Sequence, residues 1–385
     1  MSRSDLDLAI LLFDLTNSGV VLNALRIAQA AAKANVRTEI WLVQAEGMDN
    51  PHLPRKIPVR VLCSSIGADY TRFERKKALL AAAPALIDRI SHRRPRVLLS
   101  PGNHIHPLAV QAVTAETGRR TRLIGRVSNA LSRFSWSPGL VVGSVAKRLA
   151  ARRRLRAMDR LIAVSSELRW DLVTRLALNP SRVSTIPNGV DIRNAERLGK
   201  DPVDHPWLGE PTPVVLGIGR LVPQKNFQFL LRAFALARQT IPVRLMLLGS
   251  GPQENELRDL ARELGVADDV HFAGQVANPF AYLHRSSLFV LPSRWEGMSN
   301  ALLEALASGC PSIATRCPGS NEILANGRWG RLVSVDDAAL LASAMIEMLR
   351  NPPPRERQLE RARHYDLDTA MRRYLDLIQD EIRKA

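Results

Sequence analysis

FVLPSRWEGMSNALLEALASGCPSIAT, residues 289–315, sets an apolar run, a glycine-containing loop, a helix-like segment and a second apolar run in close succession. Strand, loop, helix and strand in that order form one cycle of a parallel sheet covered by helices. The loop raises a chemical question. Glu296 opens it and Glu304 lies one turn into the helix, yet every other residue from Asn300 to Ser308 is uncharged. A helix with no charged outer face gives a glutamate no ordinary place to sit. Glu304 therefore needs a polar partner that this segment does not supply.

The same cycle repeats outward in both directions. Ahead of it, PVVLGIGR (213–220) leads into a helix expected near 227–238, and VRLMLLGSG (243–251) into one near 253–264. DVHFAG, SLFVLPS and PSIAT continue as strands. The first half alternates in the same manner: LAILLF (8–13), EIWLV (39–43), RVLLS (96–100), RLIGRV (122–127) and RLIAVS (160–165) read as strands. Helices are expected near 19–34, 73–91, 105–117 and 145–157. At 385 residues the chain is long enough for two such domains. The Pro- and Gly-containing stretch from 187 to 212 separates them. The expected division is 1–190, 191–365 and a terminal helix at 366–385 that packs back on the N-terminal domain.

Composition narrows the class. Hydrophobic residues at 46% and charged residues at 24% describe a globular protein. The net charge of +17 is lopsided: through residue 192 there are 30 Lys+Arg against 14 Asp+Glu, and beyond it 24 against 23. A basic half attracts anions, whether a phosphorylated molecule, an acidic membrane surface or a nucleic acid. Lys147, Arg148, Arg152, Arg153, Arg154 and Arg156 are its densest cluster. Cys63, Cys310 and Cys317 form no Cys-x-x-Cys pair, and no His-Glu-x-x-His spacing is present. Asp5, Asp7 and Asp14 interrupt the apolar N-terminus, so it lacks the form of a signal peptide. No uncharged apolar run approaches the ~18 residues of a membrane span. The expected location is the cytoplasm, with any membrane contact peripheral.

Candidate chemistry falls after the strands of the second half. Gly219 and Arg220 follow a strand, and Lys225 precedes a helix; two cations beside helix amides suit a diphosphate. Gly249 and Gly251 permit a close backbone approach but match neither a dinucleotide fingerprint nor a Walker loop. Ser299 or Asn300 would cap the helix after Glu296-Gly297 and aim free amides at a ligand.

With these residues in view, the chain resembles glycosyltransferase family four. The resemblance rests on GIGRLVPQKNFQFLLRAF, LMLLGSGP, FVLPSRWEGMSNALLEALASGCPSIATRCPGSNEIL and STIPNGVD, and more loosely on TNSGVVLNALRIA and VSSEL. It implies the GT-B fold: two facing Rossmann-like doubly wound α/β domains with an interdomain cleft. It also implies a nucleotide-sugar donor on the C-terminal domain and transfer with retained anomeric configuration. By this likeness Arg220 and Lys225 would hold the diphosphate, Glu296 sugar hydroxyls and Glu304 the ribose. Gly219, Gly251, Arg294, Gly297, Met298, Ser299, Asn300 and Ala301 would complete the donor site, and Gly274, Gln275 and Val276 would contact the base. By this likeness the polar partner that Glu304 needs would be a ligand. In the first half the family's double glycine reads Asn17-Ser18-Gly19-Val20, with Gly19 keeping the approach to phosphate. SPGNHIHP offers His104 and His106, of which His104 is the favoured sugar or acceptor contact. No residue is assigned as nucleophile.

Asp5-Leu6-Asp7 and Asp366-Leu367-Asp368 match a metal-binding Asp-x-Asp in letters only, so no metal and no cofactor are expected. The expected partners are a nucleotide sugar, UDP-linked before GDP-linked, and a glycan, lipid-linked or phosphorylated acceptor on the basic N-terminal domain. Arg133, Phe134 and Trp136 interleave cation and aromatic, and 72–89 joins a basic start to an apolar run; either suits an anionic membrane surface, while 72–89 reads equally as an ordinary core helix with a solvated first turn. A non-catalytic GT-B scaffold that binds a nucleotide sugar and, behind it, a nucleic-acid-binding protein are the competing readings, with a phosphorylase or an epimerase as the alternatives among enzymes. Nucleic acid is not expected, because no binding motif accompanies the charge.

Overall fold

The computed structural model describes residues 6–16, 18–63, 72–116, 118, 120–129 and 141–385, without the side chains of 72, 73 and 141–147. Asn17, Arg133, Phe134, Trp136, Asp5 and the side chain of Lys147 thus lie outside the described residues. The chain divides into two compact units, 1–187 with 369–385, and 188–368.

The N-terminal unit holds β1 (Leu8–Leu12), α1 (Gly19–Lys33), β2 (Thr38–Leu42), β3 (Val59–Val61), α2 (Arg72–Arg93), β4 (Val97–Ser100) and α3 (His106–Ala115). It continues with β5 (Arg122–Val127), α4 (Val141–Arg156), β6 (Arg160–Ala163), α5 (Ser166–Trp170) and β7 (Val183–Thr185). Its seven strands are parallel in the order β3-β2-β1-β4-β5-β6-β7. Both faces are covered, so β1, β2 and β4 are buried along their whole length. The apolar run expected at 72–89 folds as core: Ala78, Ala82, Leu86 and Ile90 recur every fourth residue of α2 and are buried, while Leu80 points out.

The C-terminal unit holds α6 (Ile192–Gly199), β8 (Val214–Ile218), α7 (Phe227–Arg238), β9 (Arg244–Leu248), α8 (Glu254–Glu263), β10 (Val270–Gly274) and α9 (Pro279–Arg285). After them come β11 (Leu288–Leu291), α10 (Asn300–Ala307), β12 (Ser312–Thr315), α11 (Pro318–Ile323), β13 (Arg331–Val333), α12 (Ala338–Arg350) and α13 (Arg355–Arg363). Six parallel strands run β10-β9-β8-β11-β12-β13. Phe227, Leu230, Leu231 and Phe234 of α7 pack into the core with Leu245 and Leu247 of β9. Two doubly wound parallel-sheet domains make this the GT-B fold.

The last helix, α14 (Leu367–Lys384), returns to the N-terminal unit. Its Glu381, fully buried, accepts from Arg122 Nε at 2.5 Å and lies 3.6 Å from Arg160 Nε. Tyr374 Oη accepts from the buried Arg126 Nε at 2.9 Å. Removing a buried partner strands the opposite charge. Glu381→Gln is expected to lower stability by about 3 kcal/mol in urea titration, with nucleotide binding by the other unit unchanged.

Candidate active site

In each sheet the strand order reverses at one point, and there the loops diverge to leave a crevice beyond the carboxyl ends of the strands. In the C-terminal unit that point lies between β8 and β11, which pair directly. The loop after β8 carries Gly219, Arg220 and Lys225; the loop after β11 carries Ser293 to Ser299.

Backbone contacts fasten the loops around β8. Gly219 N donates to Leu248 O at 2.9 Å, Leu221 N to Ser250 O at 2.9 Å, and Gly249 N to Gly274 O at 2.7 Å. A Cβ on Gly251 would stand 2.5 Å from Leu221 O, so only glycine allows this approach. Arg294 N donates to Gln224 O at 2.9 Å, joining the β11 loop to the β8 loop.

At their junction Lys225 Nζ lies 2.5 Å from Glu296 Oε1, and Ser293 Oγ donates to the same oxygen at 2.9 Å. Glu296 is 8% exposed and Lys225 18%. The residues read from sequence as phosphate and sugar contacts are therefore one ion pair. Arg220 is exposed beside them, and Gly297, Met298 and Ser299 are buried. Ser299 is the cap of α10: in an extended conformation, its Oγ accepts from Leu302 N at 3.4 Å. Asn300, Ala301 and Glu304 are partly exposed along the first turns. Gly274 ends the edge strand β10, and Gln275, exposed, and Val276 follow it in the turn. Arg294 reaches sideways, 3.7 Å from Asp336.

Three supports of this loop were not singled out in the sequence. Asn188 Nδ2 donates to Asn300 Oδ1 at 2.8 Å and to Met298 O at 3.2 Å, so the Asn-Gly of STIPNGVD braces the loop. Asn226, at φ 56°, takes the left-handed conformation just before α7 and donates to Asp336 Oδ1 at 3.2 Å. Asn after Lys is the sequence signal for that turn. Ser293 completes the set. From the far side Gly319 packs on the loop; a Cβ there would meet Gly297 O at 2.4 Å.

In the N-terminal unit β1 pairs with both β2 and β4, so the order reverses at β1/β4. Gly19 begins α1 behind the cap Ser18, whose side chain accepts from Val21 N at 3.2 Å. His104 stands edge-on to Phe13, centroids 6.5 Å apart, and is partly exposed. His106 points inward: Ser100 Oγ and its Nδ1 are 2.7 Å apart, and burial pushes its pKa down to about 3. Among the described residues no group of three or more His, Cys, Asp or Glu could hold a metal ion. Asp7 pairs with Arg37, and Asp366 bridges to Val190.

The family comparisons agree with this architecture. The description "Glycosyltransferase Family 4" matches residues 17–194 and "Glycosyl transferases group 1" residues 212–351. The chain belongs to glycosyltransferase family 4. It is 29% identical over 194 residues to a Campylobacter jejuni enzyme, the N-acetylgalactosamine-N,N'-diacetylbacillosaminyl-diphospho-undecaprenol 4-alpha-N-acetylgalactosaminyltransferase, covering 50% of this chain and 51% of that one. It is 35% identical over 162 residues to the Rhizobium meliloti lipopolysaccharide core biosynthesis glycosyltransferase LpsE, covering 41% and 46%. The chain thus spans about half the length of the curated relatives it matches. Anabaena HepE, solved in complex with UDP, superposes with a TM-score of 0.77 at 18% identity over 97% of this chain and 100% of that one.

Two outcomes follow from the geometry. Asn188→Ala leaves the Met298 carbonyl and Asn300 short of a donor, and a stability loss of about 1–3 kcal/mol is expected in denaturant titration. His106 is neutral when folded, so above its ordinary pKa of 6.5 it costs nothing. As pH falls from 6.5 towards 3 the unfolded chain protonates first, and stability drops on the order of 4 kcal/mol. His106→Gln should flatten that part of the pH–stability curve.

Proposed function

We propose that the protein is a retaining glycosyltransferase. It would move a hexose or N-acetylhexosamine from a nucleotide-diphosphate sugar, UDP-linked, to a glycan or glycolipid of cell-envelope polysaccharide or lipopolysaccharide synthesis. The observation that carries this reading is the gathering of Arg220, Lys225, Glu296 and the capped start of α10 at one crevice of the C-terminal sheet.

Arg220 and Lys225 would bind the diphosphate and offset charge on the departing nucleotide, a task that needs no metal. The amides of Met298, Ser299, Asn300 and Ala301 would add donors at the positive end of α10. Glu296, its carboxylate oriented by Ser293 and Lys225, would accept from sugar hydroxyls, and Glu304 from the ribose. His104 would contact the sugar or acceptor. The acceptor hydroxyl would attack the anomeric carbon from the face the phosphate leaves, forming the new carbon–oxygen bond as the bond from that carbon to the phosphate oxygen breaks, and giving its proton to an oxygen of the departing phosphate.

The relatives' names support the acceptor class: one acts on a diphospho-undecaprenol and one in lipopolysaccharide core biosynthesis. The UDP complex of Anabaena HepE supports the nucleotide. An acceptor of this kind lies at a membrane, and no helix among the described residues is long and apolar enough to cross one. A cytoplasmic protein with peripheral membrane contact fits both. In assays of UDP release with undecaprenyl-diphosphate glycans, Lys225→Ala is expected to lower kcat on the order of a hundredfold. Glu304→Ala should raise the donor KM about tenfold with a smaller effect on kcat. Turnover unaffected by either variant would contradict the site.

A further inference from the structure

Part of the basic charge of the N-terminal unit gathers on α4, where Arg148, Arg153 and Arg156 are exposed and Arg152 and Arg154 are half-buried. Leu149, Arg152, Arg153 and Arg156 recur at the spacing that shares one face of α4. Arg148 donates to the Arg175 carbonyl and Arg156 Nη2 to Ala177 O at 3.3 Å, so that face continues onto the segment after α5. Among the described residues no carboxylate pairs with Arg148, Arg152, Arg153, Arg154 or Arg156. Neighbouring Asp159, Asp171 and Glu381 are engaged by Arg122, Arg175 and Arg160. Five like charges within nine residues repel one another, a cost that a polyanionic partner would relieve.

Two features select the partner. Leu149 and Trp170 are 56% and 52% exposed, and the Arg175 guanidinium lies 5.3 Å from the Trp170 ring centroid. An apolar residue and an indole among arginines suit the headgroup level of a bilayer. A cavity of about 560 Å³ also opens here, walled by Arg156, Arg182, Val173, Ala177, Leu178 and Pro180. Arginine with apolar walls fits a phosphate that carries a glycerol ester.

We infer that this α4 face docks the protein on an anionic phospholipid bilayer, with one headgroup phosphate in the cavity beside Arg156 and Arg182. The inference deepens the membrane-linked acceptor reading above and rests on it.

The test is co-sedimentation of the full chain with vesicles of phosphatidylcholine alone or mixed with phosphatidylglycerol, at low and high salt. The wild type should bind only the anionic vesicles, and less at high salt. Joint Arg152→Gln, Arg153→Gln and Arg156→Gln substitution should weaken binding about fivefold per arginine, on the order of a hundredfold together. Trp170→Ala should weaken it while leaving the salt dependence intact. Unchanged binding by the triple variant, equal binding to phosphatidylcholine, or retention of a DNA duplex in preference to vesicles would overturn the assignment. Nucleotide-sugar binding, read by thermal shift in the same samples, is independent: its survival with failed vesicle binding refutes the docking face alone. Its absence refutes the transferase reading.

Discussion

Burying a carboxylate is costly unless a cation and a hydrogen-bond donor meet it, and the C-terminal unit is organised around one such meeting. Glu296, 8% exposed, receives Lys225 Nζ at 2.5 Å and Ser293 Oγ at 2.9 Å. The pair links two loops that leave adjacent strands, β8 and β11, at the place where the strand order reverses. Other contacts serve the same junction. Asp336 receives Asn226 from one loop and faces Arg294 from the other. Asn188 holds Met298 and Asn300, and Gly319 allows α11 to pack against Gly297. A polar cluster braced from four directions is preorganised, which is the condition for electrostatic stabilisation of a developing charge.

The two units divide polar roles differently. In the C-terminal unit the buried Glu296 meets the part-buried Lys225 at the crevice. In the N-terminal unit the buried Arg126 and Glu381 fasten α14, while Arg148, Arg153 and Arg156 of α4 are exposed. Buried pairs of that kind hold a helix in place more than they stabilise the fold. Of the two adjacent histidines, His106 is fixed by Ser100 as a neutral core group, and His104 stays at the carboxyl ends of the strands beside Phe13.

Long periodic elements were legible from sequence because their patterns are local. The helix expected at 227–238 and the strand at 122–127 match α7 and β5 residue for residue. β3, β7 and β13 were missed; strands of three residues carry too little alternation to read. The run at 72–89 read equally as a membrane-facing segment and as a core helix with a solvated start, and its every-fourth-residue apolar spacing faces the core. Glu304 stood out because charge is unusual among small apolar neighbours, and Lys225 and Glu296 because each lies in a loop between a strand and a helix. Their mutual geometry was not legible, since Lys225 and Glu296 meet only when the β8 and β11 strands pair. The bracing roles of Asn188 and Asp336 depend on the same long-range closure.

The central claim is that this crevice binds a nucleotide sugar through Glu304 and Lys225. The most direct measurement is the thermal stability of the wild type and Glu304→Ala against a panel of UDP-, GDP- and ADP-sugars and the free nucleotides. A ligand at ~100 times its Kd stabilises by about 2.7 kcal/mol. The account predicts a rise in Tm with one nucleotide class that the variant loses. No rise with any nucleotide sugar, or an equal rise in wild type and variant, would contradict it.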